Sequence, residues 1–241
     1  MLTRVLEPET LDHLAPDDPV AQRSRRDLRR VNAFMGARRI LARAMTRALG
    51  AERRAGLRVL ELGCGDGRLL LGLARHRGER WPGASIDLLD RQPIVEPETM
   101  AAYAAAGWQA RTIVGDVLDW ADDARAGARW DVIVANLFLH HFDGEPMQRL
   151  LAGCARRADA LVACEPRRSR FALTASHLIF FLGANAVTRQ DGVLSVRAGF
   201  VGRELSAAWP AAGADWRTEE YDDGAFSHCF VAARVAPSSA P

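Results

Sequence analysis

The sequence predicts an α/β fold, a doubly wound and mostly parallel seven-stranded sheet flanked by helices. Between residues 57 and 164, short apolar runs typical of buried strands alternate with helical patterns. The last two strand-like runs, residues 216–221 and 226–234, are separated only by Asp222-Asp-Gly-Ala225. Because a connection this short forms a hairpin, the last strand is predicted to run antiparallel.

Residues 1–50 are predicted to form an N-terminal helical arm that acts as a lid or cap. Residues 1–21 are rich in Pro, Asp and Glu, which indicates a loose lead-in. Over residues 24–49 apolar side chains recur at helical spacing, and Gly50 is placed to end this helix. Its other face is rich in arginine. We interpret it as a solvated face, with an acidic carrier protein, an anionic membrane surface or nucleic acid as alternative partners.

The composition is that of an ordinary globular chain. The 241 residues suit one domain, and a net charge of +2 does not demand a polyanionic partner. The four cysteines lie far apart, so neither a zinc site nor a disulfide scaffold is predicted, and no metal ligands are assigned. No secretory signal or membrane span is visible, which predicts a cytoplasmic protein without stable membrane insertion.

The strongest ligand-binding signal lies in residues 57–70. An apolar run at residues 58–62 contains Glu61, glycines follow at positions 63, 65 and 67, and a helical pattern begins at residue 69. This pattern indicates a buried strand, a tight turn and a helix N-terminus, where a ligand can approach bare backbone. The spacing differs from the Gly-x-Gly-x-x-Gly of dinucleotide-binding proteins, because Arg68 stands at the third glycine position.

Polar side chains also follow the next three strands. Asp90 ends the second strand, Asp116 follows the third and Asn136 follows the fourth. The carboxyl ends of parallel strands meet at one edge of a doubly wound sheet, so these groups are predicted to lie near the glycine turn. Asp90 is preferred to Asp87, which would lie inside the strand, and Asp119 is the alternative to Asp116.

These segments, with the loop Asn136-Leu-Phe-Leu-His-His-Phe142, resemble class I S-adenosylmethionine (SAM) methyltransferases over about residues 57–165. The resemblance implies a Rossmann-like methyltransferase domain over residues 51–235, with SAM as cofactor and S-adenosylhomocysteine (SAH) as product. It assigns Asp90 to the ribose and Asp116 to the adenine amine. The implied cofactor-binding residues are Glu61, Gly63, Cys64, Gly65, Asp90, Arg91, Asp116, Val117, Asn136 and Leu137.

The resemblance places the acceptor beside His140 and His141. One of these histidines is predicted to be the base that removes an acceptor proton, with His140 preferred. The alternative is that both only hydrogen-bond the start of the next helix. An insertion at about residues 166–204, together with the N-terminal helix, is predicted to form a mostly apolar acceptor pocket. The predicted acceptor-binding residues are Phe34, Met35, His177, Phe181, Asn185 and Arg189.

The predicted function is O-methylation of a phenolic, quinone-like or polyketide-derived hydroxyl in bacterial secondary metabolism. The loop after the fourth strand lacks the Asn/Asp-Pro-Pro-aromatic motif of nucleic-acid amino methyltransferases, so nucleic acid is not an expected partner. Two alternatives stay open: carbon methylation of the quinone-biosynthesis type, and a SAM-binding accessory protein without turnover. A carrier protein or a pathway enzyme is retained as a partner, the oligomeric state is left open, and residues 236–241 are predicted to be a disordered tail.

Overall fold

The computed structural model describes residues 2–123, 127–177, 183–210 and 215–235, so the predicted tail lies outside the described residues. Seven strands form one sheet in the order β3-β2-β1-β4-β5-β7-β6. The strands are β1 (Arg58–Leu62), β2 (Ser85–Asp90), β3 (Gln109–Val114), β4 (Val132–Asn136), β5 (Ala160–Pro166), β6 (Trp216–Asp223) and β7 (Ser227–Arg234).

The first five strands are parallel, and β7 pairs antiparallel with both β5 and β6. The predicted fold class is therefore confirmed. The chain winds outward from β1 through β2 to β3, and then crosses back to continue through β4 and β5. The strand order thus reverses between β1 and β4, and open α/β sheets bind their ligands at this crevice.

Helices cover both faces of the sheet. They are α1 (Pro19–Met35), α2 (Ala37–Leu49), α3 (Arg68–Arg77), α4 (Pro97–Ala105), α5 (Val117–Asp122), α6 (Gly144–Arg157), α7 (Arg170–Ser176), α8 (Ala186–Ala198) and α9 (Glu204–Ala208). Neighbouring residues of β1 point to opposite faces: Val59 belongs to the core shared with α2 and α3, and Leu60 to the core shared with α6. Among the described residues, no helix is long and apolar enough to cross a membrane.

The single helix predicted over residues 24–49 is in fact two helices that meet at Gly36. This residue has φ 72° and ψ 29°, a left-handed conformation that ends α1 and begins α2. Apolar side chains continue at helical spacing on both sides of the break, which is why the pattern did not show it. The first helix also begins earlier than predicted, at Pro19, where the Asp18 carboxylate accepts hydrogen bonds from the first turn.

The prediction that the first residues form a loose lead-in is wrong for residues 2–14, which are anchored. Residues 2–14, here called the strap, run across the carboxyl edge of the sheet and are anchored at both sides. On one side, Asp191 of α8 accepts hydrogen bonds from the backbone N–H groups of Thr10 and Leu11, both at 2.9 Å. On the other, Arg91 donates to the carbonyl oxygen of Asp12 at 2.8 Å. These long-range anchors cannot be seen in the local composition of the segment.

The break at Gly36 generates a stability prediction. Gly36→Ala is expected to lower the free energy of unfolding by about 1 kcal/mol, because an L-residue is strained at positive φ. An added Cβ at this position meets no atom within 4 Å, so strain alone is tested. Gly127→Ala, also sterically open but without positive φ, is the matched control and should be neutral or slightly stabilising. Urea unfolding measures both; equal stability of the two variants would contradict the prediction.

Candidate functional site

A cavity of about 850 Å³ lies between the carboxyl edge of the sheet and the strap. It extends from the glycine turn after β1, past the ends of β2 and β3, to the loop after β4. The structure brings all ten predicted cofactor-binding residues and both predicted catalytic histidines to its wall. These are Glu61, Gly63, Cys64, Gly65, Asp90, Arg91, Asp116, Val117, Asn136, Leu137, His140 and His141.

The glycine turn has the backbone conformation that its sequence predicts. Gly63 and Gly65 have φ 61° and 54°, values that side chains other than glycine rarely adopt. Their surroundings differ. A Cβ on Gly63 would lie 2.2 Å from the ring of Phe138, whereas a Cβ on Gly65 would meet nothing within 4 Å and would occupy the cavity. Gly63 thus permits packing of the loop after β4, and Gly65 leaves room for a ligand against the backbone.

Glu61 places an unpartnered carboxyl oxygen at this turn. Its side chain is buried, and Oε2 has no hydrogen-bond partner among the described residues. Burial, together with the negative charges of Asp66 and Asp90, raises the pKa of Glu61 well above its usual range. A buried acid without a partner is costly. The positively charged cofactor that the resemblance implies would supply the missing partner, so this wall of the cavity fits SAM.

Asp90 supports the turn and still has accepting capacity. One carboxylate oxygen accepts the N–H of Gly65 at 2.8 Å and the other accepts the N–H of Gln92 at 2.9 Å. Each oxygen retains a lone pair that could accept a ribose hydroxyl. Asp87 is engaged elsewhere, with Arg111 at 2.9 Å and with the indole N–H of Trp130 at 3.0 Å, and it does not line the cavity.

Asp116 caps the helix that follows β3. Its Oδ1 accepts the backbone N–H of Leu118 at 2.7 Å, and Val117 beside it is buried. No contact of the other carboxylate oxygen is seen with the described residues, and Asp116 lines the cavity. A hydrogen-bond acceptor beside an apolar side chain is the environment that an adenine ring with an exocyclic amine requires.

The loop after β4 depends on a residue that the sequence analysis missed, Glu165. Its carboxylate is fully buried and accepts backbone N–H groups from Phe138 at 3.1 Å and Leu139 at 2.9 Å. It also contacts Nδ1 of His140 at 2.8 Å. In this loop Leu137 has φ 50°, the only positive φ among the described residues other than glycine. An acid at the carboxyl end of the fifth strand, next to the site edge, was the available signal.

The two histidines have different environments. His140 is buried, and its ring nitrogens contact Glu165 at 2.8 Å and Glu9 of the strap at 3.3 Å. Burial disfavours its charge, but the hydrogen bonds to the two carboxylates outweigh that cost and raise the pKa of His140 to about 9. Since both of its ring nitrogens are engaged, His140 has none free to take a proton from an acceptor.

His141 is the more accessible member of the pair. Its Nδ1 lies 3.3 Å from Asp12 of the strap, and its ring centroid lies 4.3 Å from that of His140. Burial lowers the pKa of His141, and the neighbouring charge of His140 lowers it further. The preference for His140 as the base is therefore not supported by this geometry, and a catalytic role of either residue stays a prediction.

Comparison with known proteins identifies the family. Residues 32–164, more than half of the chain, match the methyltransferase domain family. The chain belongs to the class I SAM-dependent methyltransferases. Trans-aconitate 2-methyltransferase of Mycobacterium tuberculosis is 41% identical over 108 residues, which are 45% of this chain and 35% of the relative. The match thus spans about a third of the length of this curated relative.

Solved structures show the same fold. The plantazolicin methyltransferase BpumL, in complex with SAH, superposes with a TM-score of 0.62 at 12% identity and covers 91% of this chain and 92% of its own. An O-methyltransferase family protein from Burkholderia thailandensis gives a TM-score of 0.58 at 16% identity, over 91% of this chain and 61% of its own. At identities this low, the superpositions establish the fold of this methyltransferase and do not identify its substrate.

The predicted acceptor-binding residues of the methyltransferase lie away from this cavity. Phe34, Met35, His177, Asn185 and Arg189 do not line it, and Phe181 lies outside the described residues. The Phe34 side chain is 67% exposed, and the Asn185 side chain caps α8. The insertion's apolar residues gave no indication of which face they occupy. The end of the cavity beside the histidine pair is instead lined by the strap, with Leu6, Glu7, Pro8, Glu9, Leu11, Asp12 and His13.

The two glycines of the turn provide a matched pair of tests. Ala at either position carries the same strain of about 1 kcal/mol from positive φ. Gly63→Ala also collides with Phe138, so it should unfold at a clearly lower temperature than Gly65→Ala. Gly65→Ala should remain folded and lose SAH affinity, because its methyl group occupies the cavity. Thermal unfolding and calorimetric titration of SAH measure the two effects; SAH affinity unchanged in Gly65→Ala would contradict the placement.

Glu165→Gln tests the buried carboxylate. The substitution keeps the shape but leaves the charged His140 without one of its two carboxylates, so unfolding should become easier by about 3 kcal/mol. Asp122→Asn is the control, because it removes an exposed carboxylate that pairs with Arg149 at the surface, and its unfolding curve should match wild type. Denaturant titration distinguishes them. A Glu165→Gln variant as stable as Asp122→Asn would show that the carboxylate does not organise the loop.

Proposed function

We propose that this chain transfers the methyl group of SAM to an oxygen atom of a small, largely apolar acceptor. One observation carries the proposal: a single cavity joins the glycine turn to the histidine pair. A cofactor and an acceptor that react by direct displacement must share one space, and this cavity contains a cofactor-type wall and a separate end formed by the strap. Its volume of about 850 Å³ is sufficient for both.

The roles in the cofactor half follow the family resemblance, and the positions of the polar groups on the cavity wall support them. In this proposal Asp90 accepts the ribose hydroxyls, Asp116 accepts the adenine amine, and Val117 lines the ring. Glu61 supplies negative charge beside the open turn at Gly65. When bound there, SAM supplies a methyl group on a positively charged sulfur, which is the electrophile of the reaction.

The acceptor half is the end of the cavity between the strap and the loop after β4. Its apolar wall comes from Leu6, Pro8 and Leu11 of the strap and from Phe138 and Phe142 of the loop. Its polar groups are Glu9, Asp12 and the two histidines. A small acceptor with an apolar body and a hydroxyl group fits this division, since the apolar body packs on the wall while the oxygen meets the polar end.

The residues of the chain act by alignment and by exclusion of water. The acceptor oxygen bonds to the methyl carbon while the carbon–sulfur bond breaks. The electron pair of the broken bond stays on sulfur, and the proton of the hydroxyl leaves to water. Such a displacement is accelerated when nucleophile and methyl group are held in line. Glu165 fixes the loop that carries the histidines, and the strap covers the cavity on its solvent side.

A polycarboxylate acceptor is the second candidate, and the 41% identity to trans-aconitate 2-methyltransferase favours it. The strap weighs against it, because Glu9 and Asp12 would repel carboxylates at the acceptor end. However, Arg25 and Arg29 of α1 also line the cavity and supply positive charge there. Carbon methylation and cofactor binding without turnover are the remaining alternatives.

The experiment is an acceptor screen that detects SAH formation and identifies the product by mass. The panel contains simple phenols, hydroxyquinones, aromatic polyketides and trans-aconitate, each with SAM. The proposal predicts O-methylated product from a phenolic or quinone-like member and none from trans-aconitate. Product from trans-aconitate alone would establish the second candidate, and tight SAH binding without any product would indicate an accessory protein.

A matched pair of variants tests the acceptor end. Leu11→Ala shortens an apolar side chain on the cavity wall and should raise KM for the acceptor several-fold while leaving SAH affinity unchanged, because Leu11 belongs to the acceptor half. Val5→Ala, on the same strap but with an exposed side chain outside the cavity, is the control and should change neither. Equal KM values for the two variants would contradict the assignment of this end to the acceptor.

A further inference from the structure

We propose that Glu9, His140 and His141 bind a first-row divalent metal cation at the acceptor end of the cavity. Each of the three side chains offers one ligand atom, and these atoms all lie within 4.8 Å of one another. One ligand comes from the strap and two from the short helix Leu139–His141. This chemistry was not indicated by the sequence, because the two histidines are adjacent and Glu9 is about 130 residues away from them in the chain.

The spacing of the ligand atoms suits a metal ion. Nε2 of His140 lies 3.3 Å from Oε1 of Glu9. Two ligands bound at about 2.0–2.1 Å in a tetrahedral arrangement lie roughly 3.3 Å apart, so an ion could replace the proton that these atoms share. The His141 ring is tilted by 32° relative to that of His140, with centroids 4.3 Å apart, and its ligand atom lies within 4.8 Å of the other two. All three side chains line the cavity, which leaves a coordination position open toward an acceptor.

The groups behind these ligands are arranged as they are in metal sites. A metal-binding histidine usually donates its other ring N–H to a carboxylate, which fixes the ring and raises its basicity. Nδ1 of His140 contacts the buried Glu165 carboxylate at 2.8 Å, and Nδ1 of His141 lies 3.3 Å from Asp12. Ser195 of α8 donates a hydrogen bond to Glu9. Each of the three ligands is thus oriented by a second group.

The ligand set determines the class of cation. Two imidazole nitrogens and one carboxylate oxygen favour Zn²⁺, Mn²⁺, Fe²⁺ or Co²⁺, whereas Mg²⁺ and Ca²⁺ prefer oxygen ligands alone. Three protein ligands with an open position are typical of catalytic rather than structural sites. All four cysteines are buried within the described residues, so no exposed thiol competes for the ion.

The cation would complete the proposed reaction, and this step rests on the proposed function. A hydroxyl oxygen bound at the open position becomes more acidic. The proton leaves to water, and the acceptor oxygen then attacks the methyl carbon. The carbon–sulfur bond breaks and its electron pair stays on sulfur. The histidines would act as ligands and not as the base. No change in oxidation state is needed at any step.

Calorimetric titration of Zn²⁺ into chelator-treated, tag-free protein tests the site directly. Wild type should bind one equivalent. Glu9→Gln and His141→Asn should weaken the affinity by more than about 100-fold, since each removes a ligand and loss of even an outer-shell partner typically costs about 10–100-fold. His13→Asn is the matched control, because this histidine lines the same cavity outside the ligand set, and its Zn²⁺ affinity should equal that of wild type. SAH affinity unchanged in every variant would show that each remains folded.

The absorption of bound Co²⁺ gives a second reading. Visible bands in wild type and His13→Asn that disappear in His141→Asn would support the site. Absence of stoichiometric binding, or equal Zn²⁺ affinity in all variants, would overturn it. The two proposals fail separately. Acceptor methylation that persists with a chelator and without metal binding would overturn the cation site alone, and metal binding without any methylated product would overturn the proposed function alone.

Discussion

The buried carboxylate of Glu165 is the constraint on which the site depends. It accepts the N–H groups of Phe138 and Leu139 and contacts the His140 ring, so one side chain fixes the whole loop after β4. Hydrogen bonds to a charged group stabilise by about 1.5–3 kcal/mol each. They outweigh the strain of about 1–3 kcal/mol from the positive φ of Leu137. Phe138 then packs against Gly63, which connects the loop after β4 to the glycine turn after β1.

The strap and the carboxyl edge of the sheet together form the wall of the cavity. The sheet supplies acids and glycines at the ends of β1, β2 and β3, and residues 2–14 line the cavity beside the histidine pair. Asp12 contacts both regions: its carbonyl oxygen accepts a hydrogen bond from Arg91, and its carboxylate lies beside His141.

The sheet, and the residues that line the cavity at its carboxyl edge, could be predicted from the sequence because their signals are local. Apolar runs mark the buried strands, and an acid or a glycine placed directly after a strand must reach the carboxyl edge. Gly36 escaped because apolar spacing continues through the break between α1 and α2. Glu9 and Glu165 escaped because their partners are distant in the chain: Glu9 and His140 are separated by 131 positions. Asn185, predicted to bind an acceptor, caps α8 through the N–H of Thr188, a local role that the sequence analysis overlooked.

We propose that the cavity holds SAM at the glycine turn, with its sulfur facing the histidine pair. A crystal structure of the protein with SAH is the decisive measurement. We expect the ribose hydroxyls on Asp90, the adenine amine on Asp116, and the sulfur atom facing the end of the cavity that His141 and the strap form. SAH bound outside this cavity, or bound with its sulfur facing away from His141, would overturn this placement.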